Sequence, residues 1–215
     1  MSEHVLPSSA ELVDRAVAEL RRGRPVVVTD DDDREGEGDL VMAAEHATAE
    51  WVAFFVRHTS GYLCVATSQQ RLERLGLPAL GSADHQGTAF HMPVDAKVGT
   101  TTGISAADRA RTVRLLADDR ARGGDFVRPG HVLTLRSREG GVLVRRGHTE
   151  VTVDLMRMAG LQDAGLLCEV VRDDGPTATR HDLERLAERH GLAMLSVDDV
   201  ARTRAEAATA ALRTR

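Results

Sequence analysis

Leu12, Val13, Ala16, Val17 and Leu20 recur at the three-and-four spacing of a helix with one apolar face. Ser8 stands ahead of them with Glu11 three residues on, a capping box that occupies N–H groups a helix start leaves over. Gly23 closes this helix, and after Pro25 the β-branched run Val26, Val27, Val28 predicts a short buried strand. Thr48 then caps a helix through Trp51, Phe54 and Phe55, and Tyr62 to Thr67 alternates like a strand before a short helix ending near Gly76. Pro78 to Gly87 reads as loop and Ala89 to Val94 as strand. Gly99 to Gly103 opens into a helix from Ser105, where Asp108 is placed to complete a second capping box and Val113 and Leu116 face inward.

Further on, Arg128-Pro129-Gly130 is expected to break the chain, His131 to Leu135 to form a strand, and Val142 to Val144 to be its hairpin partner across a turn at Glu139 to Gly141. A helix carrying Val151, Leu155 and Met158 ends at Gly160, and a strand from Leu166 to Val171 stops at the Asp173-Asp174-Gly175 turn. A helix with Leu183, Leu186 and His190 on one face, a strand, and a helix capped by Ser196 and Asp199 complete the chain. Helices and strands mixed throughout, with no repeat and no linker, predict a single mixed α/β (α+β) domain over residues 1–215.

Composition narrows the function. A chain of 215 residues can bury one good core, and no apolar run approaches the roughly 20 residues a membrane helix needs. The N-terminus, with Glu3, Glu11 and Asp14, lacks the basic leader and apolar core of a signal peptide, which points to the cytoplasm. Cys64 and Cys168 fit neither a zinc site nor a disulfide framework and read as buried, reduced thiols. A net charge of -5 with 3% aromatic residues argues against nucleic acid as a partner.

Two stretches carry candidate chemistry. Asp30 to Asp39 packs seven carboxylates into ten residues, whose mutual repulsion needs relief by solvent or a cation. Its place directly after a buried strand tilts the reading from solvated loop to metal site. An EF-hand starting at Asp31 fails because its twelfth position is Met42, and a dinucleotide fingerprint starting at Gly36 fails because its third glycine would be Val41. The second stretch, Arg145-Arg146-Gly147-His148-Thr149, opens a helix, where free N–H groups, arginine forks and a hydroxyl make a phosphate cradle. The bland alternative is solvated arginines and a Thr149 cap. His148 favours the cradle, since an imidazole joined to the carboxylate loop makes a mixed oxygen and nitrogen site suited to Mg2+ or Mn2+. By themselves His131 and Glu169 are weak signals: an isolated His at a strand start, such as His131, is more often structural than an acid or base, and strand alternation turns Glu169 toward either a cleft or solvent. Neither a G-x-S-x-G elbow nor an H-E-x-x-H helix occurs.

From Leu12 to Val200 the chain resembles the 3,4-dihydroxy-2-butanone 4-phosphate synthase family, which converts ribulose 5-phosphate to a four-carbon ketone phosphate and formate in riboflavin biosynthesis. The resemblance is carried by Asp30 to Asp39, Arg57-His58-Thr59-Ser60-Gly61, Thr101 to Arg109, Arg128-Pro129-Gly130-His131 and Arg145 to Glu150. It implies a mixed sheet covered by helices, a homodimer with active sites near the interface, and Mg2+ or Mn2+ with two ions per site. Residue by residue, it implies that Glu35 and His148 ligate metal and that Arg34, Glu35, Asp39, Arg145, Arg146, Gly147, His148, Thr149 and Glu169 contact a sugar phosphate. His131 and Glu169 become the acid/base pair. The chain departs from the family's pattern at Gly36, where Asn is usual, and between Leu80 and Gly99. It ends soon after the family domain, so a protein without the GTP cyclohydrolase domain of bifunctional relatives is expected. A paralogue acting on another ketose phosphate and a phosphosugar-binding subunit without turnover are the other readings. The presence of Glu35, His131, His148 and Glu169 weighs against the latter.

Overall fold

In a computed structural model that describes residues 7–30 and 36–213, seven strands form one mixed sheet between two layers of helices. Strands β1 (Val26–Thr29), β2 (Gly38–Ala43), β3 (Cys64–Thr67), β4 (Ala89–Ala96), β5 (Phe126–Arg136), β6 (Ala164–Glu169) and β7 (Met194–Ser196) lie in the order β4-β5-β3-β6-β2-β1-β7. The β3–β5 and β1–β7 pairs are parallel and the others antiparallel.

Alternation along the central strands sends side chains to two separate cores. Leu40, Met42, Val65, Leu166 and Cys168 pack against helices α2 (Ala49–His58), α4 (Ala106–Ala117) and α6 (Arg180–His190), with the short α3 (Gln69–Arg74) at their margin. Val26, Val28, Val41, Ala43, Ala66 and Leu167 pack against α1 (Ser9–Arg21), α5 (His148–Met158) and α7 (Val197–Arg213). The capping box at Ser8 and Glu11 forms as expected, as does the one at Ser196 and Asp199.

The structure departs from five local expectations. The strand at His131 begins earlier, at Phe126, and runs through Pro129. A shift in the pairing with β4, from Val94↔Val132 to Asp95↔Val127, bulges residues 128–131 out of the ladder, so the missing proline N–H costs no pairing. Val142 to Val144 is no hairpin strand. Gly140 and Gly141 both take positive φ, and Gly141–Leu143 coils into a 3-10 turn anchored by the Val142 N–H on Asp154. Ser105 does cap α4, but the buried Asp108 carboxylate turns to the preceding loop and folds it, accepting the Thr101 N–H and hydroxyl and the Gly103 N–H. The end of the acidic segment is itself a strand, because Gly38 to Ala43 pairs on both sides, while β6 stops at Glu169.

Candidate active site

Asp39 is the second residue of β2 and Glu169 the last of β6, and antiparallel pairing sets the two directly opposite each other. Carboxylates at opposed positions lie roughly 5 Å apart and repel, an arrangement that sheets avoid without a cation or other compensation. Both point to the face covered by α5. The N-terminus of that helix stands over them, with His148 Nδ1 3.8 Å from Asp39 Oδ1 and both side chains buried. Glu37, Asp39, Arg145, His148, Thr149 and Glu169 thus share the wall of one pocket of about 150 Å3, closed on its other side by Asp84 and Thr88. The Ser60 hydroxyl steadies Glu169 at 3.0 Å.

The field in this pocket is negative. Burial foremost, then Glu169 and its acidic neighbours, push the Cys64 thiol well above its ordinary range, and burial with Cys64 and Glu169 raises Tyr62. Cys168, behind the strand, is pushed up to about 12 by burial. These cysteines are buried, neutral thiols, as their sequence context suggests. Carboxylates with one imidazole nitrogen suit a hard divalent cation such as Mg2+. Among the described residues no group of three or more such side chains is placed to hold a metal. Glu35 and Arg34, expected in the metal and substrate sets, lie outside the described residues. The chain leaves β1 and returns to β2 at the mouth of the pocket, where the Asp30 N–H bonds the Glu37 carbonyl.

The Arg145-to-Thr149 turn divides. Arg145 enters the pocket but is held by Glu150 at 2.5 Å, Thr88 at 2.9 Å and the Gln86 carbonyl at 3.2 Å. Gly147 makes that packing possible, because a Cβ there would overlap the Arg145 guanidinium. Gly147 is also the residue ahead of α5, so Thr149 lies inside the helix rather than capping it. Arg146 points away, to Asp198 on α7. His131 does not line this pocket. It stands on β5, which β3 separates from β6 and its terminal Glu169. There it is exposed and hydrogen-bonded to Asp95 at 2.7 Å. Ser60 stood out in the sequence only as part of the Arg57-to-Gly61 motif, without a role, and spacing gave no sign of Asp95 or Thr88; the partners of all three are 36 to 109 residues distant. A roomier cleft of about 670 Å3, beside Arg136, Arg138 and Arg157, lies at the opposite ends of β3 and β5 and holds none of the motif residues.

Residues 14–203 match the 3,4-dihydroxy-2-butanone 4-phosphate synthase family. The chain is 53% identical over 194 residues to a riboflavin biosynthesis protein RibBA of Nocardia farcinica, covering 88% of this chain and 47% of that one. It is 54% identical over 192 residues to the RibBA of Mycolicibacterium gilvum, covering 87% and 45%. It spans about half the length of these curated relatives. Among solved structures it is similar to the 3,4-dihydroxy-2-butanone 4-phosphate synthase of Candida albicans, at 44% identity and a TM-score of 0.83 over 89% of this chain and 96% of that one. A second synthase, solved in complex with two magnesium ions, gives 38% identity and a TM-score of 0.85 over 90% and 94%. With the fold, the ordered motifs and these matches in agreement, the chain belongs to the 3,4-dihydroxy-2-butanone 4-phosphate synthase family.

Proposed function

We propose that the chain is a lyase of riboflavin biosynthesis that converts D-ribulose 5-phosphate to L-3,4-dihydroxy-2-butanone 4-phosphate and formate with Mg2+ as cofactor. The observation that carries this reading is the convergence of Asp39, His148 and Glu169 on one pocket with Arg145 at the helix end beside them. Glu35 and His148 would hold the cation, Mg2+ or Mn2+, with two ions per site. When bound it would act as a Lewis acid on the substrate oxygens beside the proton that leaves C3.

The chain's own groups supply the rest. The start of α5, with the positive end of its helix dipole, Arg145 and the Thr149 hydroxyl, is suited to hold the phosphate and so one end of the sugar. Arg34, Arg146 and Gly147 are assigned to the same substrate shell, although Arg146 faces Asp198 in the chain alone. Glu169, fixed by Ser60, and His131 are the candidate acid/base pair that takes the C3 proton and returns one to the hydroxyl lost from C1. The phosphate-bearing carbon then migrates, and C4 departs as formate after attack by water. The water lost at C1 is regained at C4, so the reaction balances without oxidant or reductant.

The active assembly in this proposal is a cytoplasmic homodimer with its sites near the interface. His131 lies off the pocket within one copy, and in such a dimer it can serve the pocket of the neighbouring copy. Tyr62, Val98, Ile104 and Val127, all substantially exposed, provide apolar surface at the same end of the sheet. No helix among the described residues is long and apolar enough to cross a membrane.

Incubation with ribulose 5-phosphate and Mg2+ is expected to release formate in step with substrate loss, and EDTA to stop it. Folded protein that binds Mg2+ and ribulose 5-phosphate yet releases no formate would overturn this assignment in favour of another ketose phosphate as substrate.

A further inference from the structure

Beside His131 stands a carboxylate that neither the pocket nor the phosphate cradle uses. Asp95 is buried at the bulged end of β4, and both its oxygens go to one residue: Oδ1 accepts the His131 backbone N–H at 3.0 Å and Oδ2 lies 2.7 Å from His131 Nδ1. The surroundings are shaped around this pair. Gly130 lets β5 pass against the backbone of Val94 and Asp95, where a Cβ would collide with both. Gly103, at φ +90°, closes the preceding loop over the pair, since a Cβ there would strike Asp95 Oδ2 and come within 2.7 Å of His131 Nδ1. Asp108 pins that loop through Thr101 and Gly103. Arg109, buried and donating to the Gly61 carbonyl, is a positive charge within electrostatic reach of Asp95.

We propose that Asp95 is the positioning residue for His131, holding the neutral ring with its proton on Nδ1 so that Nε2 faces outward as the nitrogen that exchanges a proton with substrate. The backbone contact makes the assignment directional. Because the His131 N–H can only donate, it keeps an oxygen of residue 95 on its side, and a carboxylate still has a second acceptor left for Nδ1–H. This inference rests on the acid/base role proposed for His131. It concerns which nitrogen carries the proton, a property that can be read without turnover.

Asp95→Asn tests it while keeping shape. Its Oδ1 would stay on the backbone N–H and turn the amide NH2 toward Nδ1, which must then accept, leaving the proton on Nε2. The 15N shifts of the neutral His131 ring, assigned with His131→Asn, are expected to show Nδ1–H in the wild type and Nε2–H in Asp95→Asn. Turnover by Asp95→Asn should fall by roughly a hundredfold or more, as for an orienting carboxylate behind an acid/base histidine, with KM and Mg2+ affinity within about threefold. An Nε2–H ring in the wild type, or a variant with unchanged tautomer and kcat, would refute the proposal. Should Asp95→Asn not fold, the wild-type tautomer alone decides. A wild type with Nδ1–H but no formate release would sink the reaction assigned above and leave the Asp95–His131 geometry standing.

Discussion

Arg145 shows how one side chain answers to two demands. Its guanidinium enters the pocket where phosphate is proposed to sit, yet it also neutralises Glu150, a carboxylate buried in the first turn of α5 that accepts the Arg138 N–H as well. Arg145→Ala should therefore fail twice. Substrate affinity should drop roughly tenfold to a hundredfold as a charge-assisted bond is lost. Stability should drop by roughly 3 to 5 kcal/mol because Glu150 is left charged and buried. Adding Glu150→Gln to Arg145→Ala should recover most of the melting temperature while leaving affinity low. If the single variant melts like the wild type, Arg145 does not hold that carboxylate. If affinity returns with stability, the arginine is structural and phosphate is bound elsewhere.

The ends of α2 and α6 meet in an aromatic cluster where His58 and His190 have ring centroids 4.9 Å apart and both pack on Phe54. Burial first, then His190, Arg57 and Arg189, lower the pKa of His58, with Asp173 opposing them. The helix C-terminus favours a protonated imidazole, but desolvation and like charge win here. The folded state thus binds the proton less readily than the unfolded chain, whose histidines titrate near roughly 6.5. His58 should contribute no pH dependence above that value and cost stability as the pH falls below it. Melting temperatures between neutral pH and about pH 5 should fall less steeply for His58→Gln than for the wild type. Identical slopes would remove His58 as the cause.

For the assembly, the proposal requires a particle of twice the chain's mass and turnover that depends on it. Ile104, half-exposed on the loop that closes over Asp95 and His131, is a suitable probe, because Ile104→Glu places a charge on the apolar surface without touching the pocket residues. Light scattering is expected to show a dimer for the wild type and a shift toward monomer for Ile104→Glu, with formate release falling in parallel. A wild type that turns over as a monomer would separate His131 from any role in a neighbouring site.

Amphipathic spacing and capping chemistry are local, which is why α1, α2, α5 and α7 could be read from Leu12, Thr48, Val151 and Ser196 and their neighbours. The motifs were visible for a related reason, since seven carboxylates within ten residues, or Arg-Arg-Gly-His-Thr at a helix start, are unusual unless a ligand relieves them. Breaker residues misled where pairing overrode them, as Pro129 shows by lying in a bulge within β5. The sheet order was beyond local reading, because β2 meets β6 and β1 meets β7 through pairing between residues more than a hundred positions apart. The same register alone sets Asp39 opposite Glu169, and the packing of α5 across it alone brings His148 to both. Tertiary structure also separated residues that sequence had grouped. It turned Arg146 to α7 and kept His131 two strands from Glu169, joined to Asp95. Neighbours along the chain share a face only as strand alternation and helix twist allow, and convergence of distant side chains is a property of the packed sheet.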